Sequence, residues 1–445
     1  MKIVFTIYFA VVAAGLASAG EPEPHHAAPT SVIQITPAFI NELAEEMRTN
    51  HPALKAAGAR TQAAEANAAA VRSWEDPTLR LGGVGARREF RASDGDLIYG
   101  VEQKLPLFGK PQLARGVAQT ELATEQANTN YQFQILRREL AKALFKSALA
   151  DRLVGIGEQD LVWLDTLVAA TEQRYRAGTA TQIQLLRVQS EQAKRAEQLR
   201  TDKLRLGHEQ FGMNRMLNRN LHETWPRLQL PEVASALVYN QQLVNLAVKY
   251  EPKLKVLQQQ IKQAEATATL TRRQRLPNVS LGFEGRNYTG DGSSRQDMVT
   301  LSFNLPWANF SRYRSDIKRD EARLKAAELD ATDYELSVQE EVHHLTVSID
   351  AARREALLYR DEIIPRAEQA LKSTRYAWET DKGMFADVLD ARRMLLDGQL
   401  MYARAVAEQY ETMAELVLCC GLGDFEALQM IGVQTEPAKS QPDKP

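Results

Sequence analysis

The sequence predicts a mainly α-helical chain with a small transmembrane β part, built from two tandem repeats of helix, β-hairpin and long helical hairpin. Three observations lead to this fold class. Two pairs of short segments alternate apolar and polar residues, as amphipathic strands do. Long stretches poor in proline carry leucines at helical spacing. Both patterns recur 200 residues later in the chain, which indicates a tandem repeat.

The second pair of segments shows the clearest strand pattern. In residues 277–286, Val279, Leu281 and Phe283 fall on one face, and residues 297–305 alternate in the same way. A loop rich in Gly, Asp and Ser joins them, which predicts a β-hairpin. A lone hairpin is marginal in water. Because the rest of the chain is predicted to be helical, these strands need partners from elsewhere.

The first hairpin is predicted at 77–86 and 97–107 from the same pattern. The matching positions are Pro77 with Pro277, Leu81 with Leu281, Gly82 with Gly282, and Leu105-Pro106 with Leu305-Pro306. We therefore divide the chain into repeat 1, residues 37–227, and repeat 2, residues 228–430.

The chain begins with a predicted signal peptide, residues 1–19. Lys2 is followed by an apolar run and by small residues before Gly20, the expected cleavage point. The alternative is a membrane anchor, but the apolar run is short for a spanning helix. Residues 20–36 are predicted to be an extended linker, and residues 431–445 a disordered tail.

Each repeat contains a predicted helical hairpin. The first spans 110–217 with its tip near 176–179, and the second spans 311–420 with its tip near 379–383. Before the first β-hairpin, Pro52 breaks a helix into two pieces. In the second helical hairpin, apolar residues recur every seven positions from Ile317 to Leu345, which is typical of a coiled coil. Pro365 is expected to kink that helix.

The predicted strands have the length of those in outer-membrane β-barrels, about 9–11 residues. Four strands cannot close a barrel, and an open sheet edge is not tolerated in lipid. Three copies would supply twelve strands, the smallest assembly that leaves a pore, so we expect a homotrimer. Phe108 and Trp307 follow the strand ends and are expected at the membrane interface. The alternative for both is ordinary packing at a strand–helix junction.

Composition and motifs argue against several classes of protein. The formal charge of −2 gives no footprint for nucleic acid. No nucleophile–base set, phosphate loop or zinc spacing occurs, so we expect no enzyme, no cofactor and no metal site. The adjacent Cys419 and Cys420 are interpreted as small buried residues, because neighbouring cysteines rarely close a disulfide without strain.

Three short runs, together with the tandem repeat, give the sequence a family resemblance. They are Leu-Pro-Leu-Phe-Gly-Lys at 105–110, Tyr-Arg-Ala-Gly at 175–178 and Asp-Val-Leu-Asp-Ala at 387–391. On these residues the chain resembles the TolC-like outer-membrane efflux family over roughly 37–425. The resemblance implies a trimeric, twelve-stranded barrel in the outer membrane of a Gram-negative bacterium, in contact with its lipid. An α-helical barrel would continue it across the periplasm.

The resemblance also implies a function and partners. The chain would be the exit duct of a tripartite efflux pump, with a periplasmic adaptor (membrane fusion) protein and an inner-membrane transporter of the RND or ABC type. A duct for type I protein secretion is one alternative. A periplasmic adaptor or a structural coiled coil are others, from a different class. The substrate stays open among metal cations, drugs and polypeptides.

Finally, the resemblance assigns candidate site residues at the helical tips. Asp387 and Asp390 lie three residues apart, on one helix face, and would form an acidic ring at the channel entrance. Their alternative is a solvated helix face. The expected adaptor contacts are the two turns, with Tyr175, Gly178 and Thr179 in the first and Trp378, Asp381 and Gly383 in the second.

The second turn departs from the Tyr-x-x-Gly pattern that is usual in the family. For Tyr175 and Trp378 the alternative is packing of the ring beneath the turn. Arg392 and Arg393 follow the acidic pair, and are expected either to bridge to it across subunits or to face water.

Overall fold

The computed structural model describes residues 32–71, 74–84, 95–288, 292–380 and 382–422. The predicted signal peptide, residues 20–31 of the predicted linker, the predicted tail and Asp381 lie outside the described residues. Among the helices of the described residues, none combines the length and the apolar character of a membrane-spanning helix.

Nine α-helices and six strands are defined in the described residues. The helices are α1 Pro37–Asn50, α2 Pro52–Ala70, α3 Lys110–Arg176, α4 Gln182–Leu217, α5 Gln241–Tyr250, α6 Pro252–Gln274, α7 Phe310–Leu358, α8 Ile364–Glu379 and α9 Phe385–Cys419. The strands are β1 Val32–Gln34, β2 Thr78–Val84, β3 Asp96–Leu105, β4 Arg227–Gln229, β5 Val279–Tyr288 and β6 Ser294–Phe303. The chain is thus mainly helical with a small β part.

The helix pair before each hairpin is broken in the same way. Pro52 and Pro252 each occupy the first helical position, where the missing N–H costs nothing. The residue before each proline caps the helix through its side chain. His51 Nδ1 accepts from the Ala53 N–H at 3.2 Å, and Glu251 accepts from the Leu254 N–H at 2.7 Å.

The interruption expected at Pro365 takes the form of a π-helical turn, Tyr359–Ile363, between α7 and α8. Proline lacks an N–H, and its ring collides with the carbonyl one turn earlier. A wider turn relieves that collision without ending the helix. Gly398 of α9 lies against the end of this turn, since a Cβ there would lie 3.6 Å from Ile363 Cγ2 and 3.3 Å from Cγ1 of the following Ile364.

The main sheet has four antiparallel strands in the order β2-β3-β5-β6. Its register aligns one apolar residue from each strand in a single row: Leu79, Val101, Phe283 and Val299. All four are exposed in the single chain. One face of the sheet is therefore apolar and open, as the alternation predicts.

The opposite face of the sheet is polar. Arg80 donates to Glu102, and Ser302 Oγ lies 3.3 Å from Glu102 Oε1. Arg286 Nε donates to Asp96 Oδ2 at 2.7 Å. Charged groups are thus paired across strands on this face, and the prediction of two contrasting faces is confirmed.

The helices beside the sheet follow the order of its strands. α2 packs on α3, α3 on α6 and α6 on α7, and each of these helices directly precedes or follows the strand at the same place in the sheet. The outer elements are the same in both layers, β2 with α2 on one side and β6 with α7 on the other. Both layers therefore end at the same two edges.

A second small sheet lies midway along the helices. β1 pairs in parallel with β4, Val32 opposite Arg227 and Gln34 opposite Gln229. Residues 32–34 are thus a strand, which corrects the end of the predicted linker at 36. The main core surrounds this region; its largest fully buried side chains include Met47, Leu140, Leu144, Phe145, Met213, Leu217, Leu243, Leu345, Ile349 and Leu416.

Gln409 of α9 holds the segment after β4 against the helices. Its fully buried amide accepts from the Ala234 N–H at 3.1 Å and donates to the Ala234 carbonyl at 3.3 Å. The Gln409 side chain thus satisfies the N–H and the carbonyl of Ala234, as a neighbouring strand would. Buried backbone groups without a partner are costly.

Gln409→Ala should lower the free energy of unfolding by about 1–3 kcal/mol, because both polar groups of Ala234 would lose their partner while buried. Thermal unfolding of the detergent-solubilised protein measures the loss. Thr412→Ala is the control, since the Thr412 hydroxyl donates to the Glu408 carbonyl of its own helix. Equal midpoints for the two variants would contradict the role given to Gln409.

Candidate functional site at the helical tips

A separate apolar cluster joins the tips of the two helical hairpins. It takes residues from α3, α4, α8 and α9, so neither tip is packed alone. Its buried members are Leu164, Leu167, Val188, Trp378, Phe385, Val388 and Leu389. The tip therefore behaves as one packed unit at the end of the helices that is distant from the sheet.

The first turn, between α3 and α4, is tightly built. Gly178 has φ of 76°, a left-handed conformation that glycine adopts without strain. Thr181 and Gln184 form a reciprocal capping box at the start of α4. The side chain of Tyr175 is 43% exposed. Tyr175, Gly178 and Thr179 thus lie together at a surface turn.

The second turn, between α8 and α9, places Trp378 inside. The indole is 7% exposed and packs at 5.5 Å from the Phe385 ring. Arg174 of α3 donates to the Trp378 carbonyl at 2.9 Å, and its guanidinium lies 4.6 Å from the indole centre. The expectation that Trp378 offers its side chain to an adaptor is therefore corrected, and the packed alternative describes it.

Other residues form the surface of the second turn. Gly383 is needed for close packing, because a Cβ there would lie 2.8 Å from Ala377 Cβ. Tyr376 and Met384 are 70% and 74% exposed. Sequence reasoning missed both residues. The sequence signal was a large aromatic or apolar residue on each side of the turn. A turn that only faces water does not need such residues.

Asp387 and Asp390 lie on the exposed side of the first two turns of α9. Arg393 donates to Asp390 at 3.3 Å and to Glu191 of α4 at 2.8 Å. No ion pair of Asp387 occurs within the described part of the chain. Two carboxylates therefore share Arg393, while Asp387 has no ion-pair partner among the described residues.

The hydrogen bond from Arg393 lowers the pKa of Glu191 below its ordinary value. The pair therefore contributes stability at neutral pH that is lost as the pH falls through that lowered pKa. Arg393 acts within one chain, between α9 and α4. The expectation of a bridge across subunits is not needed to explain its position.

Arg392 takes part in a buried ion cluster that sequence reasoning missed. Its Nε donates to Asp160 of α3 at 2.7 Å, and its guanidinium lies 4.8 Å from the Trp163 ring centre. Arg195 of α4 approaches the same carboxylate at 3.2 Å. The expectation that Arg392 faces water or bridges to the acidic pair is therefore wrong. Three helices meet at one nearly inaccessible carboxylate.

This cluster leaves positive charge unbalanced. Asp160 faces two guanidinium groups, and the Nε and Nη2 atoms of Arg195 are buried without a hydrogen bond. Gly157 lets α4 approach, since a Cβ there would lie 3.1 Å from Leu199 and 3.5 Å from Arg195 Nη2. Buried ion pairs add little net stability, but removing one member of such a pair is costly.

Two grooves flank α9 at the tip. One, of about 490 Å³, lies between α4 and α9 and is lined by Ile183, Leu186 and Asp390. The other, of about 770 Å³, is lined by Trp163, Tyr376 and Leu395. Each groove has at least one exposed apolar or aromatic side chain, Ile183 and Leu186 in the first and Tyr376 in the second, beside charged residues.

At the other end of the molecule, Phe108 and Trp307 follow the strands β3 and β6. Their side chains are 44% and 60% exposed. Phe108 has φ of 62°, which is unusual for a bulky residue. Within the residues that the structure describes, no group of three or more His, Cys, Asp or Glu side chains is arranged to hold a metal ion.

Comparison with protein families gives a match over most of the chain. The profile described as outer membrane efflux protein matches residues 43–217 and 243–422. Each matched segment contains one β-hairpin and one helical hairpin. No curated protein matches the chain by sequence.

Several solved structures share the fold. The outer-membrane channel OprN has a TM-score of 0.75 at 18% identity, with 87% of this chain and 91% of that chain covered. VceC from Vibrio cholerae has a TM-score of 0.73 at 18% identity, with 86% and 96% covered. The open state of the Neisseria gonorrhoeae MtrE channel has a TM-score of 0.69 at 16% identity, with 86% and 89% covered.

Asp160→Asn should destabilise the tip by about 3–5 kcal/mol, because it leaves Arg392 and Arg195 buried without a counter-charge. Hydrogen exchange of residues 155–200 and 382–400 measures the local opening. Asp390→Asn is the control, since an exposed pair is worth about 0–1 kcal/mol. Similar exchange rates in the two variants would show that the ion cluster does not hold the two helical hairpins together.

Proposed function

The chain belongs to the outer membrane efflux protein family, and on this basis we propose that it forms the trimeric exit duct of a tripartite efflux pump. Substrate would cross the outer membrane through a shared β-barrel, after passing along an α-helical tunnel in the periplasm. The chain would reach the membrane after removal of residues 1–19. A duct conducts passively, so no catalytic residue or cofactor is required.

The observation that carries this proposal is that the sheet and the helical layer beside it end at the same two edges. β2 and β6 each have one strand neighbour, and the helices beside them, α2 and α7, are likewise the outermost of their layer. Unpaired strand edges cannot remain in hydrocarbon. Joining β6 of one copy to β2 of the next satisfies both layers at once, and three copies give a closed barrel of twelve strands.

The two faces of the sheet support the same orientation. The exposed apolar row through Leu79 and Phe283 suits lipid, while the paired charges of Arg80, Glu102 and Arg286 suit a watery interior. α3 alone has 67 residues, which gives it a length of about 100 Å. A helix of that length is suited to cross the periplasm. Phe108 and Trp307 would mark the boundary between lipid and water.

We place the entrance at the tips. Three copies of Asp387 and Asp390 would form an acidic ring that favours cations by its field. Arg393 compensates part of this charge, because it pairs with Asp390 and Glu191. Asp387 therefore carries most of the effect, a distinction that spacing alone did not give.

We also place the periplasmic adaptor at the tips. The contacts would include Tyr175, Gly178 and Thr179 of the first turn, with Tyr376 and Met384 at the second. Gly383 and Trp378 would support the second turn from within. The inner-membrane transporter, of RND or ABC type, would connect through the adaptor. The adaptor is placed between duct and transporter because the tips are the part of the duct farthest from the sheet.

Membrane fractionation and reconstitution test the duct itself. The mature protein should enter the outer membrane, run as a trimer that dissociates on heating, and form conducting pores in planar bilayers. The physical reason is that a single four-stranded sheet has unpaired edges in lipid. A stable monomer that stays in solution without detergent would overturn the proposal.

Asp387→Asn with Asp390→Asn should reduce the preference of the pore for cations, on the order of tenfold, because the ring loses its field. Reversal potentials in a salt gradient measure the preference. Glu42→Gln with Glu45→Gln is a matched control: the two acids are also three apart on an exposed helix face, and Glu45 also pairs with an arginine three residues on. An unchanged preference in the Asp variant would exclude the acidic entrance.

A further inference from the structure

Three basic residues near the sheet have no assigned role. Arg275 follows the end of α6, and Arg314 and Lys318 lie in the first turns of α7. All three are exposed, and no ion pair involves them in the described part of the chain. The nearby acidic groups are already paired: Asp316 and Asp320 with Arg319, and Glu321 with Arg272. The positive charge here is therefore uncompensated.

The two sides of α7 differ at this level. Arg312 and Asp316 line a cavity of about 470 Å³ together with Lys104, Asn278 and Asn304. Those three strand-end residues continue the polar alternation of β3, β5 and β6. This side of α7 therefore belongs to the polar face of the sheet.

Arg314 lies on the other side of the helix. It follows Arg312 by two residues, which is a rotation of about 200°. Lys318 is one turn further along the same side. Both side chains therefore point to the side that carries the apolar face of the sheet. On α6, Leu270 and Gln274 line the same polar cavity, whereas Arg275, about 100° further round than Gln274, does not line it.

On this outer side, the residues change from apolar to basic with increasing distance from the sheet. Phe303 ends the exposed apolar row of β6, and Phe310 begins α7 with its ring 66% exposed. Arg314 and Lys318 follow Phe310 at intervals of four residues, each about 6 Å further from the sheet. The order is thus apolar, aromatic and then basic, which is the order found at a membrane interface.

The other repeat provides an internal comparison. The positions 200 residues before Arg275 and Arg314 hold Glu75 and Ala114. Repeat 1 nevertheless forms the same junction between strand and helix. The basic residues are therefore not required by the fold at this place.

We propose that Arg275, Arg314 and Lys318 form a binding surface for the headgroups of anionic phospholipids in the periplasmic leaflet of the outer membrane. This inference rests on the proposed function, because it needs the sheet to lie in lipid. Arginine and lysine bind phosphate oxygens through charge-assisted hydrogen bonds. Basic residues beside a membrane-spanning segment gain affinity from each added charge. The surface would fix the depth of the duct in the membrane.

The test uses the purified trimer in phosphatidylethanolamine nanodiscs with and without phosphatidylglycerol. Native mass spectrometry counts the retained phosphatidylglycerol molecules and gives their apparent affinity. Arg275→Gln, Arg314→Gln and Lys318→Gln together should lower that affinity by about fivefold per residue removed. The preference of the wild type should weaken in high salt, and inorganic phosphate should not replace the lipid.

Arg312→Gln is the matched control, since it removes one positive charge from the opposite side of the same helix turn and should leave the lipid preference unchanged. Arg275→Lys with Arg314→Lys keeps the charge and should keep most of the preference. Equal retention by the triple variant and the wild type would overturn the lipid surface. Failure of the proposed function is distinguishable, because the wild type would then form no trimer in either lipid.

Discussion

A strand that faces hydrocarbon must find all of its backbone hydrogen-bond partners in neighbouring strands, because lipid offers none. In the proposed duct that constraint falls on β2 and β6, which have one neighbour each in the single chain. The rest of the architecture follows from it. Each strand continues into a helix at the same place in the order, so the helical layer ends at the same two edges as the sheet. In the proposed trimer, one ring closure completes both layers.

At the tip of the molecule, the residues that hold the helices together differ from the residues that form the surface. The buried side holds the two helical hairpins together through Trp378, Arg174 and the carboxylate of Asp160. The exposed side carries Asp387 and Asp390. Adjacent positions on α9 face different sides of the helix. Arg392 therefore pairs with the buried Asp160, whereas Arg393 pairs with Glu191 at the surface.

The two repeats share a fold but differ in charge where strand meets helix. Glu251 and His51 cap equivalent helices with different chemistry, and Arg275 stands where repeat 1 has Glu75. The fold tolerates these differences because caps and exposed junctions require a polar group and not a particular charge. Variation of this kind leaves the sheet order intact while it alters what the surface binds. Repeat 2 thereby carries the basic residues of the proposed lipid-binding surface.

The helical class, the four amphipathic strands and a long helix close to the observed Lys110–Arg176 were predictable from the sequence, because these depend on local periodicity. The sequence also placed the acidic pair on one helix face. Three features required the folded chain: Trp378 is buried, residues 32–34 pair with β4, and Arg392 meets Asp160, which is 232 positions away. Such contacts join residues distant in sequence, and periodicity carries no information about which partner an inward-facing side chain will meet.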